Sequence, residues 1–136
     1  MYLCLLLSKF IFERQFYISM KENKLLQLSQ EFAIDIIELS LVLKAKGEHS
    51  FADQTKRSGT SISANIAEGN HPQSRADMIS KFEIALKEAN ETENWLNIFK
   101  NAKLIDESVF EKTHNKLIKV KILLISSIKT LKSKLL

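Results

Sequence analysis

The chain has 136 residues, of which 45% are hydrophobic and 26% are charged, the size and composition of one globular domain. Its three Gly and one Pro argue against glycine-rich phosphate loops and turn-rich β folds. Its one Cys excludes disulfide frameworks and cysteine-bound zinc, and it favours a reducing, cytoplasmic location. The formal net charge is +4, but residues 112–136 hold seven Lys and no acid, so the remainder of the chain is mildly acidic.

The first 19 residues differ from the rest, because they hold five of the eleven aromatic residues. The apolar run 3–7 has no basic residue before it and is too short to cross a bilayer, so we expect neither a signal peptide nor a membrane partner. We predict that residues 20–136 form the domain, that Met20 is the native start, and that residues 1–19 are a lead-in segment, disordered or upstream of that start. The alternative is an amphipathic arm that packs on a partner.

The first predicted helix covers residues 24–46 and ends at Gly47. Its apolar residues recur at steps of three and four, which places them on one face: Leu25, Leu28, Phe32, Ile36, Leu39 and Leu43.

The second helix is predicted from a capping box at Ser50 to about Gly69. It contains many small residues, which let a neighbouring backbone come close and predict a tightly packed inner helix: Ser58, Gly59, Ser61, Ser63, Ala64 and Ala67.

The third helix begins after a second capping pattern at Ser74, and the fourth begins after Asp106. The third has an apolar seam comprising Met78, Phe82, Ala85, Ala89, Thr92, Leu96 and Phe99. The fourth has a strip comprising Leu117, Val120, Leu124, Ile128, Leu131 and Leu135.

Each of these two helices also carries a second apolar strip, formed by Ile84, Trp95 and Ile98 on the third and by Ile118, Ile122 and Ile125 on the fourth. Two strips indicate that a helix is covered from two directions, by its own bundle and by another subunit. Because the connections are short, the fold class predicted is an all-α, up-down-up-down antiparallel four-helix bundle.

The sequence offers little for catalysis. Glu111 and His114 form one Glu-x-x-His pair, but a di-metal bundle needs two such pairs and further carboxylates. No nucleophile elbow or phosphate-binding loop is present. We therefore predict a non-enzymatic protein with no catalytic residue, metal or cofactor. The acidic cluster Glu83, Glu88, Glu91 and Glu93 is better explained by surface ion pairs than by a catalytic pair.

The C-terminal lysines have two interpretations. They are Lys112, Lys116, Lys119, Lys121, Lys129, Lys132 and Lys134, and no acid lies among them to form pairs within the helix. They either form a solvated face or contact the phosphates of a nucleic acid. The predicted nucleic-acid-binding residues are Lys56, Arg57, Lys112, Lys116, Lys119, Lys121, Lys129 and Lys132.

Two motifs point to a family. Residues 57–69 read RSGTSISANIAEG, and residues 88–96 read EANETENWL. Over roughly residues 24–132 the chain resembles the four-helix-bundle family of 23S rRNA intervening-sequence proteins, whose hallmark is an Arg-Ser…Ser-Ile…Asn-Ile-Ala-Glu-Gly helix. It departs mildly at Ala89-Asn90, where many members carry Gly-Ser.

The resemblance implies a homopentamer with a basic central channel that binds RNA or single-stranded DNA. The family is similar to the accessory variability determinant of diversity-generating retroelements, which binds nucleic acid and a reverse transcriptase. The alternative function is therefore a protein-interaction scaffold or an accessory subunit for a reverse transcriptase.

The hallmark positions are expected to have structural roles, in helix register or subunit contact. They are Arg57, Ser61, Asn65, Glu68, Gly69, Glu91, Glu93 and Trp95. Ser61, Asn65 and Glu68 fall on nearly one helical face, where buried polar groups need hydrogen bonds, and Arg57 is expected to pair with Glu68 or Glu93.

Overall fold

The structure, a computed structural model, describes residues 1–133, without the side chains of residues 22 and 23. Its four helices are α1 (Tyr2–Ala45), α2 (His49–Gly69), α3 (Arg75–Asn101) and α4 (Glu107–Lys132). The predicted Lys134 and Leu135 lie outside the described residues.

Connections of three to five residues join the helices, so successive helices run antiparallel. Each helix packs against two neighbours, in the closed order α1–α2–α3–α4–α1, and over residues 1–133 the backbones of the diagonal pairs do not come within 8 Å, measured between Cα atoms. The predicted up-down-up-down four-helix bundle is confirmed.

The core contains the apolar faces that the helical spacing predicts. All seven residues of the predicted α3 seam are buried. On α1 and α4 the predicted strips are buried except at Leu28 and Leu131, which are half-buried. Phe32, Phe82 and Phe99 are fully buried and are the largest side chains of this core.

Small residues on α2 allow two close contacts. A Cβ atom added to Gly59 would lie 2.7 Å from Ile36 Cγ2 on α1, and one added to Gly69 would lie 2.7 Å from Phe82 Cε1 on α3. The tight packing predicted for α2 is confirmed. The helix is not interior, however, because its outer face exposes Lys56 to solvent.

The structure confirms one predicted capping box and corrects the other. Ser74 is the N-cap of α3, and its side chain accepts a hydrogen bond from the Asp77 N–H at 3.0 Å. Ser50 is not a cap, because α2 already begins at His49 after Glu48. Gly47, at φ +83°, turns the chain so tightly that the next helix starts before Ser50 is reached.

The turn that ends α3 places a lysine where glycine is preferred. Lys103 has φ +58°, and its N–H donates to the Lys100 carbonyl while the Leu104 N–H donates to the Phe99 carbonyl, as in a Schellman motif. Left-handed backbone costs a side-chain-bearing residue about 1 kcal/mol. Lys103→Gly is therefore expected to raise the free energy of unfolding by about 1 kcal/mol. Urea denaturation measures this; Lys103→Ala is the control, and equal stability of the two variants would contradict the explanation.

The lead-in residues continue α1 without a break. The helix has 44 residues, so it is about 65 Å long and extends well beyond its neighbours. Almost every side chain before Met20 is exposed. The predicted start of this helix near Lys24 is wrong: α1 begins at Tyr2, since no Gly or Pro interrupts residues 2–45. That Met20 is the native start stays a prediction. Within the described part of the chain, no helix is both long and apolar enough to cross a membrane.

Candidate nucleic-acid interface

Two of the predicted lysines on α4 face a carboxylate on α1. Lys116 Nζ donates to Asp35 Oδ2 at 2.5 Å, and Lys112 Nζ lies 3.9 Å from Asp35 Oδ1. The Lys116 side chain is only 22% exposed, so it contributes little to the outer surface. Asp35 was not among the predicted site residues; the available signal was an acid next to the buried Ile36.

Two further lysines on α4 face carboxylates on α3. Lys121 Nζ donates to Glu93 Oε2, and the Lys121 side chain is 18% exposed. Lys132 forms an ion pair with Glu83. Residues 112–132 contain no acid, and α1 and α3 supply the carboxylates that pair with these four lysines. The lack of acids among these lysines therefore does not by itself indicate an external anion such as the phosphate of a nucleic acid.

Three predicted lysines remain unpaired. Lys56, Lys119 and Lys129 are exposed and form no ion pair with any residue between 1 and 133. Lys56 lies on α2, diagonally opposite α4, so a single chain does not bring it together with the lysines of α4.

Glu93 is the centre of a half-buried polar cluster between α3 and α4. His114 Nε2 donates to Glu93 Oε1 at 3.0 Å, and the His114 ring stacks on Phe110 with ring centroids 5.0 Å apart. Burial raises the pKa of the Glu93 carboxyl. The hydrogen bonds from Lys121 and His114, together with the charge of Lys121, lower it by more, so the pKa of Glu93 lies below its ordinary value of 4.5.

This cluster gives the bundle an acid-sensitive contribution to stability. Because the pKa of Glu93 is lower in the folded chain, its stabilising effect is complete above pH 4.5 and is lost as pH falls through the folded pKa. Glu93→Gln is expected to cost about 1 kcal/mol at neutral pH and to flatten the decline of unfolding free energy below pH 4.5. Urea denaturation across pH measures both effects.

Glu68→Gln is the matched control, since Glu68 is an exposed carboxylate paired with Lys81 at 2.7 Å. We expect its curve to follow that of the wild-type protein. Parallel pH curves for the wild-type protein and Glu93→Gln would show that Glu93 does not stabilise the fold in this way.

Arg57 pairs with carboxylates other than those predicted. Its guanidinium donates to Glu91 Oε1 at 2.6 Å and to Glu88 Oε2 at 3.3 Å, both on the α2-facing side of α3. The hydrogen bond to Glu91 raises the pKa of Arg57 and lowers the pKa of the Glu91 carboxyl. Glu68 and Glu93 were wrong as partners, since Glu93 points to α4 and Glu68 pairs with Lys81.

Asn65 and Ser61 bond within their own helix. Asn65 Nδ2 donates to the Ser61 carbonyl at 2.8 Å, and Ser61 Oγ donates to the Arg57 carbonyl at 2.6 Å. The Glu68 side chain is 59% exposed, so its expected burial is wrong. A role of this face in subunit contact stays a prediction.

Gly69 and Trp95 act in packing between α2 and α3. Gly69 is buried and ends α2 against Phe82. Trp95 packs on Phe51 and Phe99, with ring centroids 6.0 and 6.3 Å apart. Trp95 therefore belongs to the interhelical contact, which corrects its placement in an outer strip with Ile84 and Ile98.

The candidate catalytic features separate in the structure. Glu88 and Glu91 face α2 while Glu83 and Glu93 face α4, so the interpretation of the acidic cluster as ion pairs is confirmed. His114 bonds to Glu93. Among the described residues, no group of three or more His, Cys, Asp or Glu side chains is placed to hold a metal ion.

The fold and its ion pairs between neighbouring helices define an all-α protein of the four-helix-bundle class. The family described as "23S rRNA-intervening sequence protein" matches residues 21–126, and the chain belongs to this family. The resemblance drawn from the motifs is confirmed.

A solved relative has the same fold. It is described as a protein with unknown function from the S23 ribosomal protein family of Bacteroides thetaiotaomicron VPI-5482, and it is 44% identical with a TM-score of 0.77. The likeness covers 80% of this chain and 98% of that chain. A comparison with curated proteins finds no match.

Proposed function

We propose that this protein is a non-enzymatic, cytoplasmic, self-assembling bundle, a homopentamer, that binds RNA or single-stranded DNA through basic side chains on its outer surface. The observation that carries the proposal is the exposure of Lys56, Lys119 and Lys129 with no carboxylate partner between residues 1 and 133. An ammonium group left without a partner is available to phosphate. The name of the family supports a connection with RNA.

Self-assembly is part of the proposal because one chain offers few contacts. Lys56 and the lysines of α4 lie on diagonally opposite helices, so a nucleic acid reaches only a small set on each copy. Copies held together act jointly, because binding to one raises the effective concentration of phosphate at the next. Exposed apolar residues on α1 and α4, such as Leu41 and Ile122, supply surface for contact between copies.

The contacts are directed to the phosphate backbone. Lysine binds phosphate as a point charge and presents no fixed geometry to a base edge. Binding is therefore expected to show little sequence preference and to weaken steeply with salt, because each neutralised phosphate releases counterions.

Fluorescence anisotropy with labelled RNA and DNA oligonucleotides of mixed sequence tests the proposal. Affinity should fall as salt rises from about 50 to about 200 mM. Lys119→Ala should weaken binding to all oligonucleotides and lower the slope of log K against log salt by about 1 for each copy in contact. Lys116→Ala is the matched control on the same helix, since Lys116 is paired with Asp35.

An affinity that does not change with salt would contradict the electrostatic mechanism. Absence of binding to either oligonucleotide would contradict the nucleic-acid function and leave the alternative of a protein-interaction scaffold for a partner such as a reverse transcriptase. Equal losses from Lys116→Ala and Lys119→Ala would show that the unpaired lysines are not the binding groups.

A further inference from the structure

Two rows of apolar side chains lie on the outer surface of the bundle. The α1 strip consists of the exposed Ile34, Ile37 and Leu41, and the α4 strip consists of the exposed Ile122 and Ile125 with the half-buried Ile118 beside them. Leu41 is 62% exposed and Ile122 is 60% exposed. Single exposed apolar residues are ordinary, but rows with helical spacing leave continuous apolar surface in water, which is typical of an interaction site.

The two strips lie on opposite sides of the bundle. Leu41 is three residues before Lys44, which forms an ion pair with α2, so the α1 strip lies toward α2. Ile125 is four residues after Lys121, which forms an ion pair with α3, so the α4 strip lies toward α3. The α1–α2 pair and the α3–α4 pair form opposite sides of the closed order of helices.

The charges beside the two strips have opposite signs. Glu31 and Glu38 lie three residues before and four residues after Ile34; both are exposed and form no ion pair within the described residues. Lys129 follows Ile125 by one helical turn and is likewise exposed and unpaired over residues 1–133. Two α1 strips, or two α4 strips, therefore bring equal charges together and repel each other. An α1 strip and an α4 strip bring opposite charges together and attract each other.

We propose that the α1 strip of one copy of this chain packs against the α4 strip of a second copy. The inference rests on the self-assembly proposed above and specifies the two surfaces that meet. Because the two surfaces differ, a pair of copies leaves one α1 strip free at one end and one α4 strip free at the other. Further copies add to these free strips until the two ends meet and the ring closes. In the assembly Lys129 then faces carboxylates of the neighbouring copy, so the phosphate-binding set of the proposed function narrows from three lysines to Lys56 and Lys119.

Two substitutions, each damaging one strip, test this contact. Leu41→Lys places a positive charge opposite Lys129 of the neighbour, and Ile122→Glu places a negative charge opposite Glu31 and Glu38. Both positions are exposed, so the fold should persist, which thermal melting by circular dichroism checks. Where either variant does not fold, Leu41→Ser or Ile122→Ser replaces it in the same design.

Light scattering after size exclusion measures the mass of each sample. The wild-type protein should exceed the 15.6 kDa of one chain, and each variant alone should be a monomer. An equimolar mixture should form a one-to-one complex and grow no further, because each variant contributes one intact strip. Lys129→Glu should also lower the mass. Lys119 lies three residues after Lys116, which pairs with Asp35 on α1, so it is on the α1-facing side of α4 and Lys119→Glu should leave the mass unchanged.

The outcomes separate this inference from the proposed function. Variants that keep the wild-type mass would overturn the choice of surfaces and leave self-assembly intact. If one variant stays oligomeric while the other is a monomer, the contact joins like strips and the inference is wrong. A monomeric wild-type protein would overturn self-assembly itself.

Discussion

Replacing Phe82 with alanine is expected to lower the free energy of unfolding by about 4 kcal/mol, the largest effect of any substitution considered for this bundle. Phe82 is fully buried on α3, and its ring packs directly on the backbone of Gly69 at the end of α2. Removing the ring leaves a cavity beside two rigid helices, which close it only in part. Urea denaturation followed by circular dichroism, at one fixed protein concentration, measures the loss.

Phe10→Ala is the matched control, because Phe10 is 63% exposed and the same change of side chain should there have little effect. Gly69→Ala provides a second test of the contact. In the wild-type chain the added Cβ meets the Phe82 ring and should destabilise. In the Phe82→Ala chain the ring is absent, so most of the cost should disappear and only the contact with Lys81 Cβ at 3.2 Å remains. Additive effects of the two substitutions would contradict a direct contact between them.

The apolar faces of the helices could be predicted because they depend on spacing alone. Seven residues at alternating steps of four and three define one side of α3, whatever packs against that side. The same reasoning located the four helices and the order in which they pack, since short connections leave few arrangements.

The ion-pair partners could not be predicted because they depend on how two helices are rotated and shifted against each other. Arg57 has acids of suitable chemistry at positions 68, 88, 91 and 93, and only the packing of α2 on α3 selects Glu88 and Glu91. The partner of Lys116 is Asp35, 81 residues away on another helix. The sequence shows that the lysines have no acid partner among their helical neighbours on α4. It does not show which carboxylates on α1 and α3 lie opposite them.

Of the eight predicted nucleic-acid-binding residues, the candidate site therefore keeps only the lysines that have no carboxylate partner on a neighbouring helix within residues 1–133. Lys119 and Lys129 were predicted by the same rule as Lys116 and Lys121, which the bundle turns toward its own acids. A charge on an exposed-looking helical face is available to a ligand only where no neighbouring helix presents an opposite charge. That condition is a property of the assembled bundle.

Gly59→Ala is expected to destabilise the bundle by about 2 kcal/mol, although alanine is the better helix former. The added Cβ would lie 2.7 Å from Cγ2 and 2.9 Å from Cγ1 of Ile36, a distance that forces α1 and α2 apart or strains the Ile36 side chain. The branched carbon of isoleucine cannot swing away as the end of a long side chain can. Overpacking therefore outweighs the gain in helix propensity.

This cost should largely disappear when Ile36 is shortened. In the Ile36→Ala chain the two γ carbons are gone, and only the Cβ of residue 36 stays close, 3.1 Å from the added Cβ. A small shift relieves that contact, so the gain in helix propensity should roughly offset it and Gly59→Ala should be close to neutral there. Chemical denaturation of the four chains in this double-mutant cycle gives the coupling between the two positions. If Gly59→Ala changes the stability of the wild-type chain and of the Ile36→Ala chain by the same amount, α1 and α2 do not approach closely at Gly59, and the small residues of α2 need another explanation.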